Sequence, residues 1–126
     1  MTNTARSFAF PRKKYSLGRN RNYQYVYRKG KNLPSRYIVL VYVRARSLKV
    51  GFSVSSKVGN AVTRNRLRRW MREDARMLLP ELQEGKYVFV ARVSAKDAKH
   101  SVLKAQMRSL VERAGLIKEE ALTDVR

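Results

Sequence analysis

The spacing of apolar residues changes several times along the chain, and each change marks an element. Between Arg19 and Lys29, Tyr23, Val26 and Tyr27 recur at i, i+3 and i+4, which is one face of a short helix, and Gly30 stops it. Asn32 to Ser35 carries Pro34 and reads as a turn. Tyr37 to Val43 is an unbroken β-branched and aromatic run, the pattern of a strand covered on both faces. From Lys49 to Ser55 the pattern alternates, with Val50, Phe52 and Val54 on one face and Gly51, Ser53 and Ser55 on the other. That second face is small and polar, which leaves room for something to lie against it. Asn60 to Leu79 contains no Gly or Pro and stops at Pro80, so it is the long helix. Tyr87 to Val93 is another apolar strand. Lys99 to Ala114 is a third helix, with Leu103, Met107, Leu110, Val111 and Ala114 on one face and Gly115 closing it. The order α-β-β-α-β-α predicts a single-domain α/β sandwich, one sheet with helices packed on it. A further short strand near Leu33 or around Leu82 is weakly marked.

Charge changes this picture from a fold to a binding protein. The 126 residues carry 29 Lys and Arg against 9 Asp and Glu, a net charge of +20. Residues 1–72 hold 19 of the basic side chains and no acidic one; Glu73 is the first acid. Such density repels itself and is offset by a polyanion, of which nucleic acid is the common one. Residues 1–16 read as a basic arm that orders late or on RNA, residues 17–116 as the folded domain, and 117–126 as a mixed-charge tail. No apolar run approaches the roughly 18 residues of a membrane span. Cysteine is absent, which removes disulfides and thiolate metal sites and fits a reducing cytoplasm.

On a helical wheel the long helix is two-sided. Arg64, Arg68, Arg72 and Arg76 follow one ridge, widened by Arg66 and Arg69, while Leu67, Trp70, Met71, Met77 and Leu78 fall on the opposite arc. Guanidinium groups grip phosphate oxygens in pairs and stack on bases, which a point-like ammonium does not. Lys57-Val58-Gly59-Asn60 leads into the helix, with Gly59 free to take a positive φ and Asn60 a good N-cap. With the first helical amides, this stretch suits a phosphate.

The run from Val50 to Arg69, with Lys57, Gly59, Asn60 and Ala61 ahead of an Arg64-Asn65-Arg66 core, closely resembles the signature of the bacterial ribonuclease P protein family. Arg72 and Glu73 also fit, and the likeness extends from Leu17 to Leu116. It implies an α/β sandwich with a left-handed crossover between parallel strands, against the usual right-handed rule. It implies that Lys57, Gly59, Asn60, Arg64, Asn65, Arg66, Arg68, Arg69 and Arg72 contact a catalytic RNA. It also implies a cleft for the single-stranded 5′ leader of precursor tRNA, with Tyr23 and Tyr27 where the family usually shows phenylalanine. Ser53 and Ser55 are included there, and Leu40 stands where some members carry a third aromatic. The implied activity is endonucleolytic removal of that leader by a holoenzyme whose RNA, with Mg²⁺, performs catalysis.

The residues themselves agree that the polypeptide binds and does not cleave. A protein nuclease needs metal-binding carboxylates or an acid–base pair, and the basic part of the chain has no acid. His100, the only histidine, reads as a surface residue. A ribosomal or other structural RNA-binding protein is the alternative on composition, and the signature with its paired tyrosines argues against it. DNA is not expected, because there is no dimerising heptad and no short helix-turn-helix pair. A chain this basic is expected to gain stability when anions fill native sites. Its thermal midpoint should rise in millimolar sulfate at constant ionic strength, and an unmoved midpoint would contradict this.

Overall fold

A computed structural model describes residues 10–118. The elements in chain order are α1 (Arg12–Tyr15), α2 (Asn20–Lys29), β1 (Lys31–Pro34), β2 (Ile38–Val43), β3 (Leu48–Val54), α3 (Ala61–Leu78), β4 (Gly85–Ala91) and α4 (His100–Arg113). Short 3-10 turns stand at Ser56–Val58, Leu79–Glu81 and Val93–Asp97. The weak strand near Leu33 forms as β1, and α1 is an element that the apolar spacing does not mark. The packed chain also starts earlier and ends later than 17–116. Phe10 is buried, Ser16 bridges Val50, and Ile117 is buried opposite Leu82. Of the expected arm (1–16) and tail (117–126), residues 1–9 and 119–126 lie outside the described residues.

The four strands stand in the order β1-β2-β4-β3. β1 pairs antiparallel with β2, and β2 antiparallel with β4, whereas β3 and β4 are parallel and joined through α3. β2 is covered on both faces as its sequence requires, although both its neighbours run antiparallel. On one face Ile38, Leu40, Val50, Tyr87 and Phe89 meet Leu67, Met71 and Leu78 of α3 and Leu103, Met107 and Leu110 of α4. On the other face a smaller cluster of Val26, Val41, Val88 and Leu17 seats α2.

Two positions of α3 depart from the wheel. Met77 is exposed, and Asp74 is buried in its place on the inward arc. Burial pushes the Asp74 carboxyl above its ordinary value, and the hydrogen bond and charge of His100 oppose that rise. His100 is therefore not a free surface residue: its Nε2 lies 2.9 Å from Asp74 Oδ1.

The small face of β3 is filled from α2. The Tyr23 ring lies over Gly51, where a Cβ would stand 2.6 Å from ring carbon Cζ. Its hydroxyl accepts a hydrogen bond from Phe52 N at 3.2 Å, on the outer edge of the sheet. Leu17 N donates to Val50 O at 3.1 Å on that same edge. Gly51→Ala should therefore destabilise the fold by about 1–3 kcal/mol, as overpacking does. In a Tyr23→Ala background the cost should shrink, because the clashing ring is gone. Urea denaturation of the four proteins checks this, and strictly additive losses would contradict it.

Candidate RNA interface

The loop ahead of α3 is built from short-range hydrogen bonds. Ser55 Oγ accepts from Lys57 N at 3.2 Å and starts the 3-10 turn, which drives Val58 into the core and leaves Lys57 exposed. Gly59 has φ 164°, which is extended backbone, so the expected positive φ is not used. Space is the constraint there: a Cβ would sit 3.2 Å from the Thr63 side chain. Asn60 caps the helix as expected, with Oδ1 accepting from Thr63 N at 2.9 Å.

Three of the predicted arginines form the ridge. Arg64 Nε donates to Gly59 O at 3.1 Å, which ties the ridge to the loop. Arg68 donates to Asn65 Oδ1 at 3.0 Å and to Val54 O at 3.5 Å, at the end of β3. Arg72 is half-buried, and burial lowers its pKa, helped by the like charges of Arg12 and Arg68. Arg12 reaches this place from α1, a neighbour that a wheel of α3 alone does not show. Asn65 and Arg69 are exposed beside the ridge. Arg66 is not on it: its guanidinium lies over the Trp70 ring, 5.2 Å from the centroid, and donates to Lys96 O. Among the described residues the ion pairs are His100–Asp74, Arg108–Glu81 and Arg108–Glu112, so no carboxylate neutralises Arg64, Arg68 or Arg72.

Between α2 and β3 a cleft of about 480 Å³ opens, lined by Tyr23, Tyr27, Phe52, Ser53 and Arg68 among others. The two tyrosine rings stand 6.4 Å apart and tilted by 56°. They are not equivalent. Tyr23 is half-buried and fixed on Gly51, whereas Tyr27 is 38% exposed and offers its ring to the cleft. Ser53 lines the cleft, while Ser55 is spent on the 3-10 turn. Leu40 is not part of it: it is fully buried in the main core, on the sheet face away from α2. Strand alternation explains this, since Val39, Val41 and Val43 are the β2 residues turned to α2. Arg68 belongs to the ridge and to the cleft at once, so the two surfaces meet at one guanidinium. The sequence signal for that was its spacing one turn after Arg64, which is too common to be read alone.

Among the described residues there is no group of three or more His, Asp or Glu that could hold a metal ion. No described helix is long and apolar enough to cross a membrane.

Comparison with known proteins identifies the family. The family model described as Ribonuclease P matches residues 10–115. The ribonuclease P protein component of Exiguobacterium sp. is 37% identical over 105 residues, covering 82% of this chain and 92% of the relative. That of Clostridioides difficile is 38% identical over 104 residues, covering 79% and 91%. The structure of the Staphylococcus aureus RNase P protein superposes with a TM-score of 0.77 at 26% identity, covering 82% of this chain and 98% of that one. The chain belongs to the ribonuclease P protein family, the protein component of the endoribonuclease of tRNA 5′ processing, in which the RNA carries catalysis.

Proposed function

We propose that this chain binds the catalytic RNA of ribonuclease P through α3 and its leading loop, and the 5′ leader of precursor tRNA through the cleft beside α2. The observation that carries this reading is the cleft itself, with an exposed aromatic face on Tyr27 and an unneutralised guanidinium on Arg68 at its rim. An aromatic face takes an unstacked base, and a cation beside it takes the adjoining phosphate. That pairing suits a single strand and not a duplex. Mature tRNA has no leader to place there, so the cleft favours the precursor. Lys57, Gly59, Asn60, Arg64, Asn65, Arg69 and Arg72 form the second contact, toward the catalytic RNA. Arg66 joins them from the Trp70 side of the same helix.

The chain contributes binding and positioning to the reaction. Mg²⁺ belongs to the RNA in this reading, and no step is assigned to a protein side chain. A cytoplasmic location fits a substrate that is a newly made tRNA precursor.

The two tyrosines should respond differently. Tyr27→Ala should cost about 1–3 kcal/mol of precursor affinity, the range for a lost base stack, and leave mature tRNA affinity and thermal midpoint near wild type. Tyr27→Phe should cost little. Equal losses for precursor and mature tRNA in a folded Tyr27→Ala holoenzyme would refute the leader cleft.

The ridge answers to salt. Arg64→Ala and Arg72→Ala should each weaken binding to the catalytic RNA and lower the magnitude of the log K against log[salt] slope by about 0.7–0.9. An unchanged slope in the double variant would remove this face from the RNA contact.

A further inference from the structure

Arg66, Trp70 and Asp74 repeat every four residues along α3, so they form one row on its side next to α4. The row is linked by contact. The Arg66 guanidinium lies over Trp70, and its Nη2 donates to Lys96 O at 3.3 Å in the 3-10 turn after β4. The Trp70 ring stacks on His100 at 4.9 Å, 2° from parallel. His100 opens α4, and its Nε2 lies 2.9 Å from Asp74 Oδ1. Asp74 is 4% exposed, and its Oδ2 is buried without a hydrogen bond, so His100 is what holds this carboxylate.

A free arginine side chain samples many rotamers, and ordering it on a partner costs entropy. A flat ring beneath it removes part of that cost in advance. The ring is itself held by a second ring, and that one by a buried acid. Lys96, an exposed cation, is carried on the turn that Arg66 grips.

We propose that His100 and Trp70 are positioning residues for RNA binding: the row from Asp74 through His100 and Trp70 fixes the Arg66 guanidinium and the Lys96 turn in one geometry toward the catalytic RNA. This rests on the reading that α3 faces that RNA. Neither residue touches the RNA in this account; both act through Arg66.

Trp70 is the only tryptophan of the chain, so its fluorescence reports the row directly. The experiment measures affinity of the full chain for the catalytic RNA in a cycle of His100→Gln, Arg66→Ala and the double variant. Glutamine keeps a donor for Asp74 and loses the stacked ring, so the fold is retained; thermal midpoints verify this. Trp70→Phe, which leaves Asp74 and His100 in place, supplies a second route if His100→Gln fails to fold. His100→Gln should weaken binding by about 3- to 10-fold with Arg66 present and add no further loss in Arg66→Ala, the mark of coupled residues. The change of Trp70 emission on RNA binding should shrink in His100→Gln. Equal losses with and without Arg66, or no loss in a folded variant, would overturn the proposal while Arg64→Ala still weakens binding. If Arg64→Ala and Arg68→Ala also leave affinity unchanged, the assignment of α3 to the RNA has failed, and this inference falls with it.

Discussion

The α2 side of the molecule depends on one contact, the Tyr23 ring against the bare backbone of Gly51. It lets α2 approach the sheet, and the phenolic hydroxyl occupies the outer edge of β3. With α2 seated there, Tyr27 stands one turn further along at the mouth of the cleft. A larger residue at 51 would lift the helix and widen the cleft together. The same contact therefore sets both a packing distance and the width of the cleft.

On the other side of the sheet the balance is between apolar burial and charge repulsion. The inward arc of α3 places Leu67, Met71, Ala75 and Leu78 in the core, while Arg64, Arg68 and Arg72 stay close together outside. Like charges at this spacing weaken a helix by a few tenths of a kcal/mol per pair. Burying one large apolar side chain returns about 1.5–3 kcal/mol, so packing wins and the ridge is tolerated. The native state thus holds a row of positive charge along α3 at a cost that core packing offsets.

Much of this was legible in the sequence. The long helix, its Asn60 cap and the strand pair follow from spacing and residue type, and the signature from resemblance to the family. What was not legible has definite causes. A four-residue strand such as β1 and a single turn such as α1 carry too few residues for a period to show. The inward place of Asp74 was hidden because a wheel scores a carboxylate as polar, and its partner His100 lies 26 residues away. Positional likeness puts Leu40 at the cleft, but a shift of one residue along a strand moves a side chain to the opposite face, and Leu40 lies in the main core. Arg66 stands off the ridge by helix geometry: two residues after Arg64 it lies roughly 200° round the helix, and four before Trp70 it shares that ring's side.

The sheet's two outer strands bear on how the chain behaves before it meets RNA. β1 is four residues long and includes Lys31 and Pro34, and β3 has its outer side occupied by Leu17 N and the Tyr23 hydroxyl. Short length, lysine, proline and a covered backbone are the devices that stop strands of separate molecules from adding to one another. Joined to strong mutual repulsion, they disfavour edge-to-edge aggregation of copies that have no RNA bound.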